Sequence, residues 1–386
     1  MRSDETITAW TFPFCPTPPD FQLDWPGLTA QFAWLRALAG CPQDPVFHGE
    51  GDVLSHTRLV VESLIANGEW RRLDQAARAV LFAAALLHDV AKPVCTRRQN
   101  GRLVSPNHAR RGAQLAQEIL YREFSEAGLP VPFTRRQQIV GLVRHHGLPL
   151  WFWDKAEMQR AVLSASYQAR LDWAAMLAQA DVEGRICADQ ADLRMRLALF
   201  REYAGEMGCW ERPFAFVSDH ARFVYFTRRS DQPDYVPYDD TLCEVTLLAG
   251  LPGSGKDTWL RQAALSLPVV ALDDLRAELR ISPTDNQGAV IAAAREQARL
   301  YLRQGQGFVW NATNITRPLR QQLIGLFDGY KARVRVVYLE APWPELVGRN
   351  QKRAEAVPEA VLLNLAAKLD APDLTEAQQV TYVAAG

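Results

Sequence analysis

Between about residues 24 and 205 the apolar positions recur at intervals of three and four, as in "ARAVLFAAALLHDVA" and "RLDWAAMLAQADVEG". That is the repeat of helices with a buried face, so this half is predicted to be all-α, with Pro93 and Gly147 marking helix ends. The pattern changes over 206–242, where "RRSDQPDYVPYDD" mixes charge, proline and tyrosine and predicts a linker. Short β-rich runs follow, "CEVTLLAG", "PVVAL", "GFVWN" and "RVRVVYLE", each separated by a helical stretch. Strands and helices alternating at this spacing predict a parallel sheet with helices on its faces. The expected organisation is multidomain: an all-α domain over 1–205, a linker over 206–242 and an α/β domain over 243–386.

Composition adds bounds. With 386 residues, 48% hydrophobic and 23% charged, the chain has the make-up of a soluble globular protein large enough for two cores. A net charge of −1 means that any anionic ligand must be met by local basic clusters. The cysteines, Cys15, Cys41, Cys95, Cys187, Cys209 and Cys243, are dispersed and show neither a disulfide frame nor a zinc ribbon, so a reducing, cytoplasmic setting is expected. No apolar run approaches the roughly 18 residues of a membrane helix and no signal-like start is present, so neither export nor a membrane is expected.

The α/β half opens with "GLPGSGKDTW" directly after its first predicted strand. Gripping a polyphosphate requires successive inward N–H groups at a helix N-terminus, followed by a lysine that reaches the transferred phosphate. Gly250, Gly253, Ser254, Gly255, Lys256, Asp257 and Thr258 are therefore the expected nucleotide-contacting set, for ATP or another NTP with Mg²⁺. Asp257 stands where Ser or Thr usually supplies a hydroxyl to the metal; a carboxylate is a harder Mg²⁺ ligand, and Thr258 is expected to point elsewhere.

Three later stretches bear on the acceptor. "VVALDDLRAEL" puts Asp273 and Asp274 at a predicted strand end, with Arg276 where a helix would begin. "FVWNATNIT" ends another strand in Asn311 and Asn314, and "WPELVGRNQKRAEAV" carries Arg349, Lys352 and Arg353 on one predicted helix face. In order and spacing, residues 243–370 resemble the 5′-hydroxyl polynucleotide kinases of nucleic-acid repair. The resemblance implies that Asp273 is the general base, that Arg276 binds the acceptor's phosphate, and that Arg349 and Arg353 grip the donor phosphates. Asn311 stands where many such kinases have Asp, so the metal-directed carboxylate is expected to have moved to Asp257.

Six of the seven histidines fall between residues 48 and 146. Imidazoles and carboxylates spread over several helices suit a divalent transition metal held inside a bundle. The order His56, His88-Asp89, His108, His145-His146, Asp181 resembles the HD-domain metal-dependent phosphohydrolases, and "HGEGDVLSHT" looks like the HD domain attached to some CCA-adding enzymes. That resemblance implies His56, His88, Asp89 and Asp181 as primary metal ligands and His108 and His146 as the best matches for a second ion, with His145 an open alternative. It also implies catalytic roles for Asp89 and Lys92, the latter toward substrate phosphate, and attack of metal-activated water on phosphorus.

The two halves together resemble the bifunctional HD-Pnk end-healing enzymes. The resemblance implies a 3′-phosphatase and 2′,3′-phosphodiesterase joined to an ATP-dependent 5′-kinase, RNA or DNA ends as substrate, and a ligase acting downstream. The alternatives are a nucleotide phosphohydrolase fused to a small-molecule kinase, or an HD module that only recruits RNA. A tRNA nucleotidyltransferase is not expected, since no Gly-Ser and paired-carboxylate strand precedes the histidines. In the predicted linker, Phe223, Tyr225, Arg228, Arg229, Tyr235 and Tyr238 have the make-up of a single-strand platform, although ordinary packing is the favoured reading.

Overall fold

The first half of the chain is organised around a helix that is apolar on every side. Helix α1 (Val53–Ala66) is capped by Asp52, whose carboxylate accepts from the Ser55 N–H at 2.9 Å. Helix α2 (Gln75–Leu87) begins at Asp74, which accepts from Ala77 N–H at 2.8 Å, and from Ala79 to Leu87 every residue is buried. A helix without a polar face needs neighbours all round. α1 packs on α2, as do two further helices, α4 (Phe133–His145) and α5 (Leu171–Glu183), while α3 (His108–Glu118) packs on α4. The residues that follow α2 are thus delivered into the middle of the bundle.

The structure, a computed structural model, describes residues 10–384 apart from 228, 264, 283–284 and 354–355. The chain divides into two compact units, Met1–Ala215 and Phe216–Ala385. One departure from the all-α expectation is a two-stranded antiparallel hairpin, Arg97–Gln99 with Arg102–Val104. Its turn residues Asn100 and Gly101 both have positive φ, 51° and 78°, the backbone that a two-residue hairpin turn demands. Pro93, rather than closing a helix, lies at the start of the short helix Lys92–Cys95.

In the second unit a helix, α6 (Asp219–Phe226), comes from the segment expected as linker. Its buried Arg222 donates to the carbonyls of Leu374 at 2.9 Å and Gln378 at 2.6 Å. Phe223 and Tyr225 are buried, Arg229 lies over the Phe223 ring, and Tyr235 and Tyr238 are exposed; Arg228 is outside the described residues.

The sheet of this unit contains β1 (Cys243–Ala249), β2 (Val269–Ala271), β3 (Phe308–Asn311), β4 (Ala332–Glu340) and β5 (Gln379–Ala384). Its order is β2-β3-β1-β4-β5 and every pairing is parallel. β1 lies between strands that follow it at different distances along the chain, so its C-terminal end faces the crevice where open parallel sheets bind ligands. β5, an edge strand of half-buried and exposed residues, gave no apolar run to find. The turn after β3 is fixed from below: buried Asn314 donates to the Leu248 carbonyl at 2.7 Å, and Arg320, itself paired with Glu376, donates to Asn314 O at 3.2 Å.

Candidate active sites

In the helical unit each expected ligand is a helix residue or lies just beyond a helix end. His56 belongs to the second turn of α1, His88 caps α2 and Asp89 follows it, His108 opens α3, His146 caps α4, and Asp181 lies in the last turn of α5. These side chains meet. His56 Nε2 is 3.1 Å from Asp181 Oδ1 and 3.8 Å from Asp89 Oδ2, and His88 Nε2 is 3.2 Å from Asp89 Oδ2. On the other side of Asp89, His108 Nε2 is 3.5 Å from Oδ1 and 3.3 Å from His146 Nε2.

The rings are oriented by their outer nitrogens. Nδ1 of His88 donates to Ala85 O at 2.7 Å, that of His108 to Ser105 O at 2.8 Å, and that of His146 to Val143 O at 2.8 Å. A carbonyl only accepts, so each Nδ1 carries the hydrogen and each Nε2 turns a lone pair inward, as in metal-ligating imidazoles. Lone pairs on His108 and His146 facing each other at 3.3 Å need a cation or proton between them. His56 Nε2, His88 Nε2 and Asp89 Oδ1 are buried without a hydrogen-bond partner among the described residues. A donor group His48/Glu50/His56 lies on the Nδ1 side of His56, and two more face inward, His56/His88/Asp181 and Asp89/His108/His146, each with its atoms within 4.8 Å of one another. The residues therefore fit divalent transition metal, and Asp89 offers an oxygen to either inward group.

Electrostatics keep both carboxylates and His146 in ligating form, whereas at His88 burial, which lowers the pKa, is outweighed by Asp89 and Asp181, which raise it. Burial by itself would raise the Asp89 carboxyl, but Lys92 and the neighbouring imidazoles hold it well below the usual carboxylate range. Burial opposes ionisation of Asp181 too and is outweighed by Arg185, which grips both carboxylate oxygens at 3.0 and 2.5 Å, and by His56. Burial together with His108 and His88 pushes His146 down to about 3, leaving it neutral. Lys92 Nζ is 2.7 Å from Asp89 Oδ2 and donates to Gln43 Oε1 at 2.6 Å.

His145 points elsewhere, its Nε2 lying 3.0 Å from Gln168 Oε1. Residues not singled out from the sequence also join the site. Glu50 Oε1 is 2.8 Å from Nδ1 of both His48 and His56, and Glu50 Oε2 accepts from Ile186 N–H at 2.9 Å. Arg185, four residues after Asp181 and just past the end of α5, pairs with its carboxylate. Gln43 gave no signal.

In the second unit the loop after β1 turns through Gly250, Gly253 and Gly255, with φ of 151°, 81° and 100°. A Cβ on Gly250 would lie 2.4 Å from Leu339 O and 2.6 Å from Ser254 Oγ, so this position is closed to any side chain. The loop leads into α7 (Lys256–Gln262). Lys256 Nζ donates to the carbonyls of Gly250 and Leu251, each at 2.9 Å, and burial lowers its pKa to about 8 against the raising effect of Asp257 and Asp273. Ser254 Oγ is buried without a hydrogen-bond partner among the described residues. Asn311 Nδ2 donates to Asp257 Oδ1 at 2.8 Å, whereas Thr258 is exposed and takes a 3.4 Å bond from Arg261. The loop thus fits a polyphosphate, and the exposed Asp257 carboxylate beside it fits its Mg²⁺.

Two details differ from expectation. Asp273 and Asp274 lie in the first turn of α8 (Leu272–Leu279), not at the strand end, and Arg276 is in its last turn, because β2 stops at Ala271. Asp273 and Arg276 are hydrogen-bonded to each other, and Arg276 Nε donates to Gln287 at 2.7 Å. The basic trio does not share one helix face: α9 (Trp343–Gln351) contains Arg349, is capped by Lys352 and leaves Arg353 beyond it. Arg349 still meets the loop, donating to Gly253 O at 3.4 Å and pairing with Glu345, and Arg353 is close enough to Lys256 to oppose its charge.

Comparison with known proteins agrees with this division. Residues 53–173 match the HD domain family and residues 245–372 match an AAA domain family. The chain therefore joins a helical HD domain to an α/β, kinase-like P-loop domain, two enzyme domains. Among solved structures, a candidate kinase from Chloroflexus aurantiacus j-10-fl is 18% identical, with a TM-score of 0.32, over 38% of this chain and 86% of that one. A sugar kinase from Janibacter sp. HTCC2649 in unliganded form is 18% identical, with a TM-score of 0.29, over 37% of this chain and 85% of that one. No helix among the described residues is long and apolar enough to cross a membrane.

Proposed function

We propose that the chain heals broken nucleic-acid ends. The HD half hydrolyses a 3′-phosphate, or opens and removes a 2′,3′-cyclic phosphate, and the kinase-like half transfers the γ-phosphate of ATP to a 5′-hydroxyl. The observation that carries this reading is the bonded pair Asp273 and Arg276 on the helix after β2. A carboxylate to take the proton of a hydroxyl, joined to a guanidinium suited to a phosphate, matches an acceptor that carries its own phosphodiester next to the hydroxyl.

In the kinase half Asp273 takes the proton of the 5′-hydroxyl as its oxygen bonds to the γ-phosphorus and the bond to the β,γ-bridging oxygen breaks. Lys256, Arg349 and Arg353 bear the charge on the moving and leaving phosphates. Asp257, with Asn311 behind it, would hold Mg²⁺, which neutralises phosphate oxygens when bound. In the HD half His56, His88, Asp89 and Asp181 would hold one divalent ion, and His108 and His146 with Asp89 a second. Such ions activate water and offset phosphoryl charge. Lys92, anchored by Gln43 and Asp89, orients a phosphoryl oxygen. The products are a 3′-hydroxyl and a 5′-phosphate, the ends a ligase joins.

The test is transfer of labelled γ-phosphate from ATP to a 5′-hydroxyl oligonucleotide, run beside Asp273→Ala. Transfer that disappears in the variant supports the reading. Transfer to small alcohols with none to the oligonucleotide would replace it with a small-molecule kinase.

A further inference from the structure

The hairpin Arg97–Val104 is used by neither reaction, and its base is bolted to the HD centre from both sides. Thr96 N–H donates to Lys92 O at 2.8 Å, Thr96 Oγ1 and Ser105 Oγ are 2.8 Å apart across the hairpin's neck, and Ser105 O accepts from His108 Nδ1 at 2.8 Å. Lys92 and His108 therefore stand at the two feet of the hairpin, and both contact Asp89, at 2.7 and 3.5 Å. The arms project about 10 Å, at roughly 3.3 Å per residue. They carry Arg97, Arg98 and Arg102, all exposed, and among the described residues no carboxylate lies within ion-pair distance of any of them. Cross-strand pairing puts Arg97, Gln99 and Arg102 on one face and Arg98 on the other.

In a chain of net charge −1, three arginines that are unpaired among the described residues gather on one short projection. Guanidinium is the side chain suited to bidentate contact with phosphate, and these three have no carboxylate partner among the described residues. Here, we infer that the hairpin grips the phosphodiester backbone of a single strand upstream of the terminal phosphoester, so that Arg97, Arg98 and Arg102 give the HD site its preference for polynucleotide ends over small phosphate esters. The inference rests on the nucleic-acid reading for its ligand. The arginines are positioning residues: they would hold the strand and not the reacting phosphate.

The experiment compares the full-length protein with an R97A/R98A/R102A variant on p-nitrophenyl phosphate and on a 3′-phosphorylated oligonucleotide, and measures binding of a 3′-hydroxyl oligonucleotide against salt. The small ester lacks the upstream backbone that the hairpin would grip, so it reports the integrity of the centre. Expected are a 10- to 100-fold lower kcat/KM on the oligonucleotide, carried mainly by KM, and small-ester hydrolysis within twofold. The slope of log affinity against log salt should fall by about 2, since each single-strand phosphate contact contributes about 0.7. R97K/R98K/R102K keeps the charge and should recover most of the slope. If the wild type prefers the oligonucleotide and the alanine variant keeps both preference and slope, the hairpin inference fails alone. If the wild type shows no preference, the hairpin inference and the end-healing reading of the HD half fail together. A loss on both substrates would make the hairpin structural and overturn the inference.

Discussion

Asn311 donates its side-chain amide to the Asp257 carboxylate at 2.8 Å. In a phosphate loop of the usual type a hydroxyl occupies the first position and a carboxylate the second, and here acceptor and donor have changed places. A single substitution at either end therefore breaks the pair. Asp257→Ser leaves no carboxylate, and Asn311→Asp removes the amide donor that holds Asp257 and sets a second carboxylate against it. Each single variant should need about 10- to 100-fold more Mg²⁺ for half-maximal γ-phosphate transfer, while Asp257→Ser/Asn311→Asp recovers toward wild type. Additive losses in the double variant, or full activity of Asp257→Ser at limiting Mg²⁺, would show that the pair is not the metal's carboxylate site.

Gly250 supplies a prediction about shape rather than charge. Gly250→Ala places a methyl 2.4 Å from Leu339 O at a φ of 151°, a backbone region that costs an alanine about 1–3 kcal/mol even before the clash. ATP binding by calorimetry should fall at least tenfold while hydrolysis by the HD half is unchanged. Unaltered ATP affinity would mean that the loop does not close on phosphate through this turn.

Much of this was legible in the sequence because the chemistry sits at element boundaries that leave local signals. The helix period around His56 and His88, the apolar strand before Gly250 and the glycines themselves announced both sites. What was not legible depended on tertiary partners. His145 and His146 are equivalent in sequence, and only the packing of the end of α4 turns one ring inward and the other to Gln168. Glu50 lies in a loop without periodicity, and its role appears only when His48, His56 and Ile186 converge on it. The hairpin has its turn signal in Asn100-Gly101, but its three-residue strands are too short to interrupt the helical period on either side.

The difference between the adjacent histidines is directly measurable. His146→Ala removes an inward Nε2 and should lower both bound metal, read by elemental analysis, and hydrolysis of p-nitrophenyl phosphate by 100-fold or more. His145→Ala should change either by less than about threefold. Equal losses in the two variants would remove the inward and outward assignment.

Buried Arg320 and Glu376 predict stability rather than activity. Both side chains are fully enclosed, and the guanidinium meets both carboxylate oxygens at 2.9 and 2.8 Å. Glu376→Gln strands a buried cation and should cost about 3–5 kcal/mol in urea unfolding of the kinase-like half, whereas Arg320→Met/Glu376→Leu should cost less than that single change. A double variant as unstable as Glu376→Gln would shift the weight to the Arg320 bonds with Asn314 O and Asp370 O.

Glu50 tests how far the HD centre is built by residues that do not ligate. Its carboxylate stands behind His56, 2.8 Å from Nδ1, and serves His48 and the Ile186 N–H as well. Burial would raise its pKa, but these partners together hold it below the usual range, so it is a full negative charge behind the ring. Such a charge fixes the ring's orientation and makes the inward Nε2 a better donor. Glu50→Gln keeps the size but removes the charge, and its amide can accept on one side only, so either the imidazoles or the Ile186 N–H loses its partner. Metal affinity should therefore fall about 10- to 100-fold, with activity restored by excess metal and an unchanged KM for p-nitrophenyl phosphate. A variant that binds metal as wild type does but hydrolyses slowly would instead put Glu50 in contact with the reacting water.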